Sequence, residues 1–360
     1  MIENILKTDD LWHKLQNENK PILLYGMGDG ADKVLNVCEE YGIEVSGVFA
    51  SDGFAKKKIF RGFEVTTYSQ AYEKFGDFTV LLSFATSLDT VLKNIKSISL
   101  NHTLYCPDVP VFGKGLFNRE FVQQNYDKFK KVYSLLSDDV SKNNYVNIIL
   151  GKLTGECKYL YNAETTPDEA YKHIICPKNT SHYIDIGAYN GDTIREYLSY
   201  AQNVKVTAFE PDAKNYKKLI EYANAFSIDT SHFHNVAAWD KKETLTFYSR
   251  SGRNSSTDAN RTNLKTVQIN ADKCDSYIDT KVDYVKIDAE GADKKVIDGL
   301  ENTLRKYKPT LSCAVYHRNE DMFEIPNRLF EIYGKCKMYI RHFRYLPAWD
   351  TNVYIVPDEE

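Results

Sequence analysis

The 360-residue chain lacks any run of about 18 consecutive apolar residues, the length a helix needs to cross a bilayer, so no transmembrane helix is expected. Its start, Met1-Ile-Glu-Asn-Ile-Leu-Lys, has no basic stretch, apolar run or small-residue cleavage site, so no secretory leader is expected. There is no C-x-x-C pair among the seven cysteines. Their odd number and scatter argue against a zinc ribbon or a disulfide framework and suit a reducing cytoplasm. There is no basic excess either: 46 Lys and Arg stand against 50 Asp and Glu, a net charge of −4. That balance gives no electrostatic case for nucleic acid or an anionic membrane as partner. The cluster Lys56-Lys-Lys58 is short and reads as a solvated turn. Internal repeats and low-complexity tracts are also missing.

What is present is alternation of strand and helix. Aromatic residues make up 13% and charged residues 27%, enough to bury a core and stay soluble, and the length leaves room for two domains. The most informative segment is Tyr183-Ile-Asp-Ile-Gly-Ala-Tyr-Asn-Gly-Asp-Thr193. It reads as a buried strand, a glycine turn, and a helix from Asp192 to about Gln202 with Ile194, Tyr197, Leu198 and Ala201 inward. Gly187 and Gly191 are expected to let backbone approach a ligand. The next strand, Val204 to Glu210, ends in a carboxylate. An acid there suits a ribose diol, because it accepts from both hydroxyls. The glycines are not spaced as G-x-G-x-x-G, so S-adenosylmethionine, a nucleoside without phosphates, fits better than a dinucleotide.

After Phe209-Glu210-Pro come Asn235-Val-Ala-Ala-Trp-Asp240, Val285-Lys-Ile-Asp-Ala-Glu-Gly-Ala292 and Val315-Tyr-His-Arg318. In this order the motifs resemble the FkbM-type methyltransferases over about residues 130–356. The resemblance implies a Rossmann-like methyltransferase domain that uses S-adenosylmethionine and methylates hydroxyls, often on sugars. On it, the cofactor lies among Asp185, Gly187, Ala188, Asn190, Gly191 and Thr193, with Phe209 and Glu210 on its ribose side. Ala237, Ala238 and Trp239 lie by the adenine, and Asp288 faces the methyl group.

Residues 1–110 carry a second α/β pattern. Pro21-Ile-Leu-Leu-Tyr-Gly-Met-Gly-Asp-Gly30 is a strand and glycine turn, followed by a helix with Val34, Leu35, Val37 and Cys38 inward. Strands are expected at 43–49, 79–84 and 103–106. This stretch resembles the small Rossmann-like domain at the front of polysaccharide-biosynthesis enzymes. Two readings are open: a nucleotide or nucleotide-sugar site with Asp52 on a ribose, or a domain that serves packing, partner binding or dimerisation. The expected fold class is therefore α/β, with two doubly wound Rossmann-like domains (1–110 and 181–360) joined by a helical bridge and cap (111–180). A stripe of Phe117, Phe121, Val122, Tyr126, Phe129, Val132, Tyr133 and Leu136 runs along the bridge, as core or lid, and Ser137 to Ser141 reads as a helix start.

Methyl transfer to oxygen needs an aligned acceptor and removal of its proton. Asp288, Glu290 and His317 stand at or just after strand ends, which converge in open α/β sheets. They are the catalytic candidates: His317 as base, or the three together with Mg²⁺. The loop Arg250 to Thr257 could hydrogen-bond a sugar, and Tyr345, Trp349 and Arg344 could stack on one. A small-molecule or glycan substrate is the expected partner, and a homo-oligomer is compatible with the pattern. The competing reading is an NAD-linked sugar oxidoreductase, or a nucleotide-sugar-binding protein, built on the front domain. The incomplete fingerprint and the lack of a Tyr-x-x-x-Lys pair beside it count against an oxidoreductase.

Overall fold

The computed structural model describes residues 2–51, 53–55, 58–113, 115–249 and 265–358. The strands are β1 (Ile22–Tyr25), β2 (Val45–Phe49), β3 (Ile59–Phe60), β4 (Phe63–Thr66), β5 (Thr79–Leu82) and β6 (Leu104–Tyr105) in the first part. They form one sheet in the order β3-β4-β2-β1-β5-β6. All neighbours are parallel except the β3–β4 pair. Both β1 and β5 are buried along their whole length, as uninterrupted apolar runs must be when helices cover both faces of a parallel sheet. The helix Asp29–Glu40 turns Val34, Leu35, Val37 and Cys38 inward as expected.

The second part begins with β7 (Glu164–Thr165), β8 (His182–Ile186), β9 (Lys205–Phe209) and β10 (Phe233–His234). Three strands, β11 (Ala237–Trp239), β12 (Glu243–Ser249) and β13 (Lys265–Lys273), form a small separate sheet. The main sheet is completed by β14 (Tyr284–Ile287), β15 (Thr310–Ala314), β16 (Cys336–Phe343) and β17 (Thr351–Pro357). Its order is β10-β9-β8-β14-β15-β17-β16-β7, parallel from β10 to β15, with β17 antiparallel to both neighbours. Chain order reverses direction between β8 and β14, and in the first sheet between β1 and β5. Such switch points open a crevice at the carboxyl ends of the strands.

The stretch between the sheets is largely helical. Asp138 caps the helix Asp139–Thr154, accepting from the Ser141 N–H at 2.7 Å, and Gly155 ends it in the left-handed conformation. The Phe117–Leu136 stripe is core rather than lid: Phe117, Val122, Phe129, Val132 and Leu136 are buried, and Phe129 meets Phe323 edge-on at 5.0 Å. One continuous apolar cluster links Leu23, Phe49 and Val80 of the first sheet, through Ile149 and Leu153, to Ile184 and Val285 of the second. Among the described residues no helix is long and apolar enough to cross a membrane.

Candidate active site

The turn after β8 is shaped by protein neighbours. At Gly187, with φ +76°, an added Cβ would lie 1.8 Å from the Asp288 carbonyl oxygen, so glycine is what lets the ends of β8 and β14 touch. At Gly191, with φ +84°, it would lie 2.5 Å from the Tyr222 ring. Both glycines make room for packing against protein neighbours, and Gly187 also lines the adjoining cleft. The helix that follows runs Asp192–Leu198, shorter than the expected end near Gln202. Thr193 does not cap it; its hydroxyl donates to Asp185 at 2.9 Å.

Asp185 is fully buried inside β8 and is off the wall of the adjoining cleft. The Lys286 ammonium lies 3.3 Å from it and donates to the Gly187 carbonyl at 3.1 Å. Burial raises the Asp185 pKa, against the pull of Lys286 and Thr193. For Lys286 burial works the other way, but Asp185 and Asp288 prevail and its pKa is raised. The pair locks β8 to β14 below the site. Lys286 escapes sequence reasoning, because its partner lies a hundred residues away; a lysine inside an otherwise apolar strand is the signal that could have found it.

Glu210 stands one residue beyond β9. One carboxylate oxygen accepts from the Tyr189 N–H at 2.9 Å and the other from the Asp212 N–H at 2.8 Å. Each oxygen keeps a lone pair for a further donor. Burial pushes its pKa up to about 7, although both N–H groups favour the anion.

At the ends of β14 and β15 the polar groups converge on His317, which is almost wholly buried. Its Nδ1 lies 2.8 Å from Asp293, and its Nε2 lies 3.2 Å from Asp288 and 3.9 Å from Glu290. Asp293 also accepts from the Ala289 and Gly291 N–H groups, at 2.8 and 3.2 Å, and so braces the turn that carries Glu290 at φ +51°. Burial opposes a charge on His317, yet Asp293 and Asp288 hold its pKa well above the usual value. Asp288 is held below the carboxylate range: burial is overcome by Lys286 and His317. Glu290 goes the other way, to about 8, because burial and its anionic neighbours Asp288 and Asp293 outweigh His317. Sequence reasoning missed Asp293, since a carboxylate in a helix's first turn reads as an ordinary dipole partner.

The raised pKa of His317, set by Asp293 and Asp288, weighs against the expectation of His317 as a base near neutrality. The Mg²⁺ alternative also loses support. Donor atoms of Asp288, Asp293 and His317 lie within 4.8 Å of one another, but the ring Nδ1 is taken by Asp293, only Nε2, 3.2 Å from Asp288, is left for a metal, and Mg²⁺ prefers oxygen.

These groups open on a cleft of about 1080 Å³. Of the expected residues, Gly187, Thr193, Phe209, Glu210, Ala237, Ala238, Trp239, Asp288, Glu290 and His317 line it. Ala188, Asn190 and Gly191, like Asp185, do not. Asp52 and the loop 250–257 lie outside the described residues. The facing wall comes from the first sheet: Met27, Asp29 and Gly30 after β1, Ser83 and Phe84 after β5, and Pro107 and Val109 after β6. In the front glycine turn Gly28 faces open space, whereas Gly26 and Gly30 meet protein neighbours. An added Cβ would lie 2.4 Å from the Phe84 ring at Gly26, and 2.4 Å from the Ser83 carbonyl at Gly30, so both glycines are spent on packing.

A Rossmann-type sheet with a carboxylate on the ribose side, a second beyond the switch point, and no phosphate cradle between them fits S-adenosylmethionine. Glu210 has acceptor oxygens that suit a diol, and Asp288 a carboxylate that suits a nearby positive charge. The class defined is an S-adenosylmethionine-dependent methyltransferase. Residues 185–346 match the family described as the methyltransferase FkbM domain. Among solved structures, methyltransferase FkbM from Methylobacillus flagellatus KT has a TM-score of 0.69 at 16% identity, covering 98% of this chain and 92% of its own. At that identity the likeness is one of fold, and it extends over both halves. More distant are an rRNA methylase from Streptococcus thermophilus (TM-score 0.34, 10% identity, 51% of this chain and 90% of that one) and a SAM-dependent methyltransferase from Aquifex aeolicus (0.32, 11%, 62% and 100%). No curated protein matches the chain.

Proposed function

We propose that the protein methylates a hydroxyl of a sugar, in a glycan or a nucleotide-linked sugar, with residues 181–360 as the catalytic unit. The observation that carries this reading is the placing of Glu210 and Asp288, at the ends of β9 and β14, on the wall of one cleft with the β8 turn between them. Bound S-adenosylmethionine supplies an electrophilic methyl carbon on a positive sulfur. Glu210 holds the ribose through its two remaining lone pairs, and Ala237 and Trp239 flank the adenine side. Asp288, kept ionised by Lys286 and His317, orients the acceptor hydroxyl. Glu290 is the proton acceptor. Three carboxylates (288, 290 and 293) surround one imidazolium, and Glu290, the one farthest from His317, takes up a proton most easily. Its base strength is therefore matched to work just above neutrality.

Calorimetric titration with S-adenosylhomocysteine and with NAD tests the cofactor half of the reading. Micromolar binding of the first and none of the second is expected. Binding of NAD alone would move the function to the front domain.

A further inference from the structure

The two sheets present their switch points to the same cleft. The first sheet does so through Met27 and Gly30 after β1 and Phe84 after β5, and the second through Gly187 after β8 and Asp288 after β14. Ligands in open α/β sheets bind at such points. The cleft, about 1080 Å³, slightly exceeds the range of roughly 300–1,000 Å³ for a site of one small ligand. A cofactor held at Glu210 and Asp288 leaves the opposite side, toward the first sheet, for a second molecule.

That side has a built floor. Tyr345 and Trp349 stack at 5.7 Å, and both line the cleft. Their loop is tied to the first sheet by two backbone hydrogen bonds: the Thr86 N–H donates to the Leu346 carbonyl at 2.8 Å and the Leu346 N–H to the Thr86 carbonyl at 3.0 Å. Leu346 is buried, and Arg344 reaches Asp89 at 2.8 Å. The aromatic floor of the second half is thus held in place by the end of β5 in the first.

The charges on the wall select among ligands. Asp288, Glu290 and Asp350 line the same cleft as the floor. Among the described residues, the wall's lysines and arginine have other partners. Lys286 is held by Asp185, and Lys33 donates to the Pro110 and Val111 carbonyls at 2.7 and 3.2 Å. The Arg195 guanidinium lies over the Tyr222 ring at 4.7 Å. A carboxylate or phosphate beside the floor would meet the like charge of these acids, whereas an uncharged hydroxylated ring offers an apolar face to the aromatics and donors to the acids.

We propose that the first domain completes the acceptor site. A neutral, hydroxylated ring lies on Trp349 and Tyr345 with its reacting hydroxyl toward Asp288, and Phe84 at the end of β5 forms the opposing wall. This rests on the sugar-methylation reading above and adds where the ring sits and which charge it carries.

The test is saturation-transfer NMR on the full chain loaded with S-adenosylhomocysteine. The probes are methyl glycosides of glucose, mannose, galactose and rhamnose, beside glucose 1-phosphate and glucuronic acid. Saturation of at least one neutral glycoside is expected, with the two anionic probes weaker or silent. Trp349→Ala and Phe84→Leu should each weaken that glycoside about fivefold or more, with S-adenosylhomocysteine affinity within twofold of wild type. Trp349→Phe, which keeps a ring, should fall between, so a folding defect in the alanine variant does not decide the result. Glycoside binding that ignores all three variants, or anionic probes that bind better, overturns this proposal and leaves the sugar reading standing. No glycoside signal with cofactor product bound overturns both.

Discussion

His317 and Asp293 form a buried pair, ring Nδ1 to carboxylate at 2.8 Å, and the same carboxylate ties down the turn that carries Glu290. Asp293 thereby sets the charge of the imidazole and the position of the nearest proton acceptor together. Asp293→Asn keeps the shape but removes the charge. Its amide should leave S-adenosylhomocysteine affinity within about threefold while the methyl-transfer rate falls about 10²-fold or more. A rate near wild type in a folded Asp293→Asn protein would show that the pair serves the fold alone.

Glu210→Ala removes an acceptor whose two oxygens each already take one backbone N–H. Two ribose hydroxyls would lose their partner, at a cost of roughly 1–3 kcal/mol. The dissociation constant for S-adenosylhomocysteine should rise about tenfold or more, with an unchanged circular dichroism spectrum. Unaltered affinity by calorimetry would remove Glu210 from the cofactor site.

Lys286→Met leaves Asp185 in a fully buried position without its cation. Removing one partner of such a pair typically costs about 3–5 kcal/mol. Chemical denaturation should show a loss of that order. The double change Lys286→Met with Asp185→Asn should recover a substantial part, because the amide keeps the Thr193 hydrogen bond without the charge. No recovery would mean that Lys286 acts through packing rather than through Asp185.

Much of this was legible in the sequence where neighbours are close along the chain. The strand ends carrying Glu210 and Asp288 follow from apolar runs that stop at an acid, and Asp138 and Gly155 mark a helix as local capping rules require. The apolar stripe from Phe117 to Leu136 is equally plain. Relationships that only tertiary contact creates were not legible. Gly191 looks like a ligand glycine until Tyr222, from the next helix, is found against it. The partner of Lys286 and the contribution of Phe84 to the cleft wall depend on how strands and domains meet. Local pattern carries no record of that.

Gly191→Ala separates the two explanations of that glycine. A methyl group there meets the Tyr222 ring and needs φ +84°, so stability should fall by about 1–3 kcal/mol. Cofactor-product affinity, measured well below the melting temperature, should stay within about threefold. A selective loss of affinity at unchanged stability would restore the ligand reading.

The pH dependence distinguishes Glu290 from His317 as proton acceptor. Burial beside Asp288 and Asp293 raises the Glu290 pKa to about 8. A raised carboxylate pKa means the group is mostly protonated at pH 6.5 and inert as a base, and becomes available as pH rises through 8. The rate at saturating cofactor should therefore climb about tenfold per pH unit between pH 6 and 7 and level off above pH 8.5. His317 cannot supply that limb, because the carboxylates on both of its nitrogens hold it protonated well past its usual range. Glu290→Gln should abolish the limb and lower the plateau rate about 10²–10⁴-fold, while EDTA leaves the wild-type rate unchanged. A limb that survives in Glu290→Gln and vanishes in His317→Gln would return the base to the histidine. A rate lost to EDTA and restored by Mg²⁺ would put a metal beside Asp288 instead.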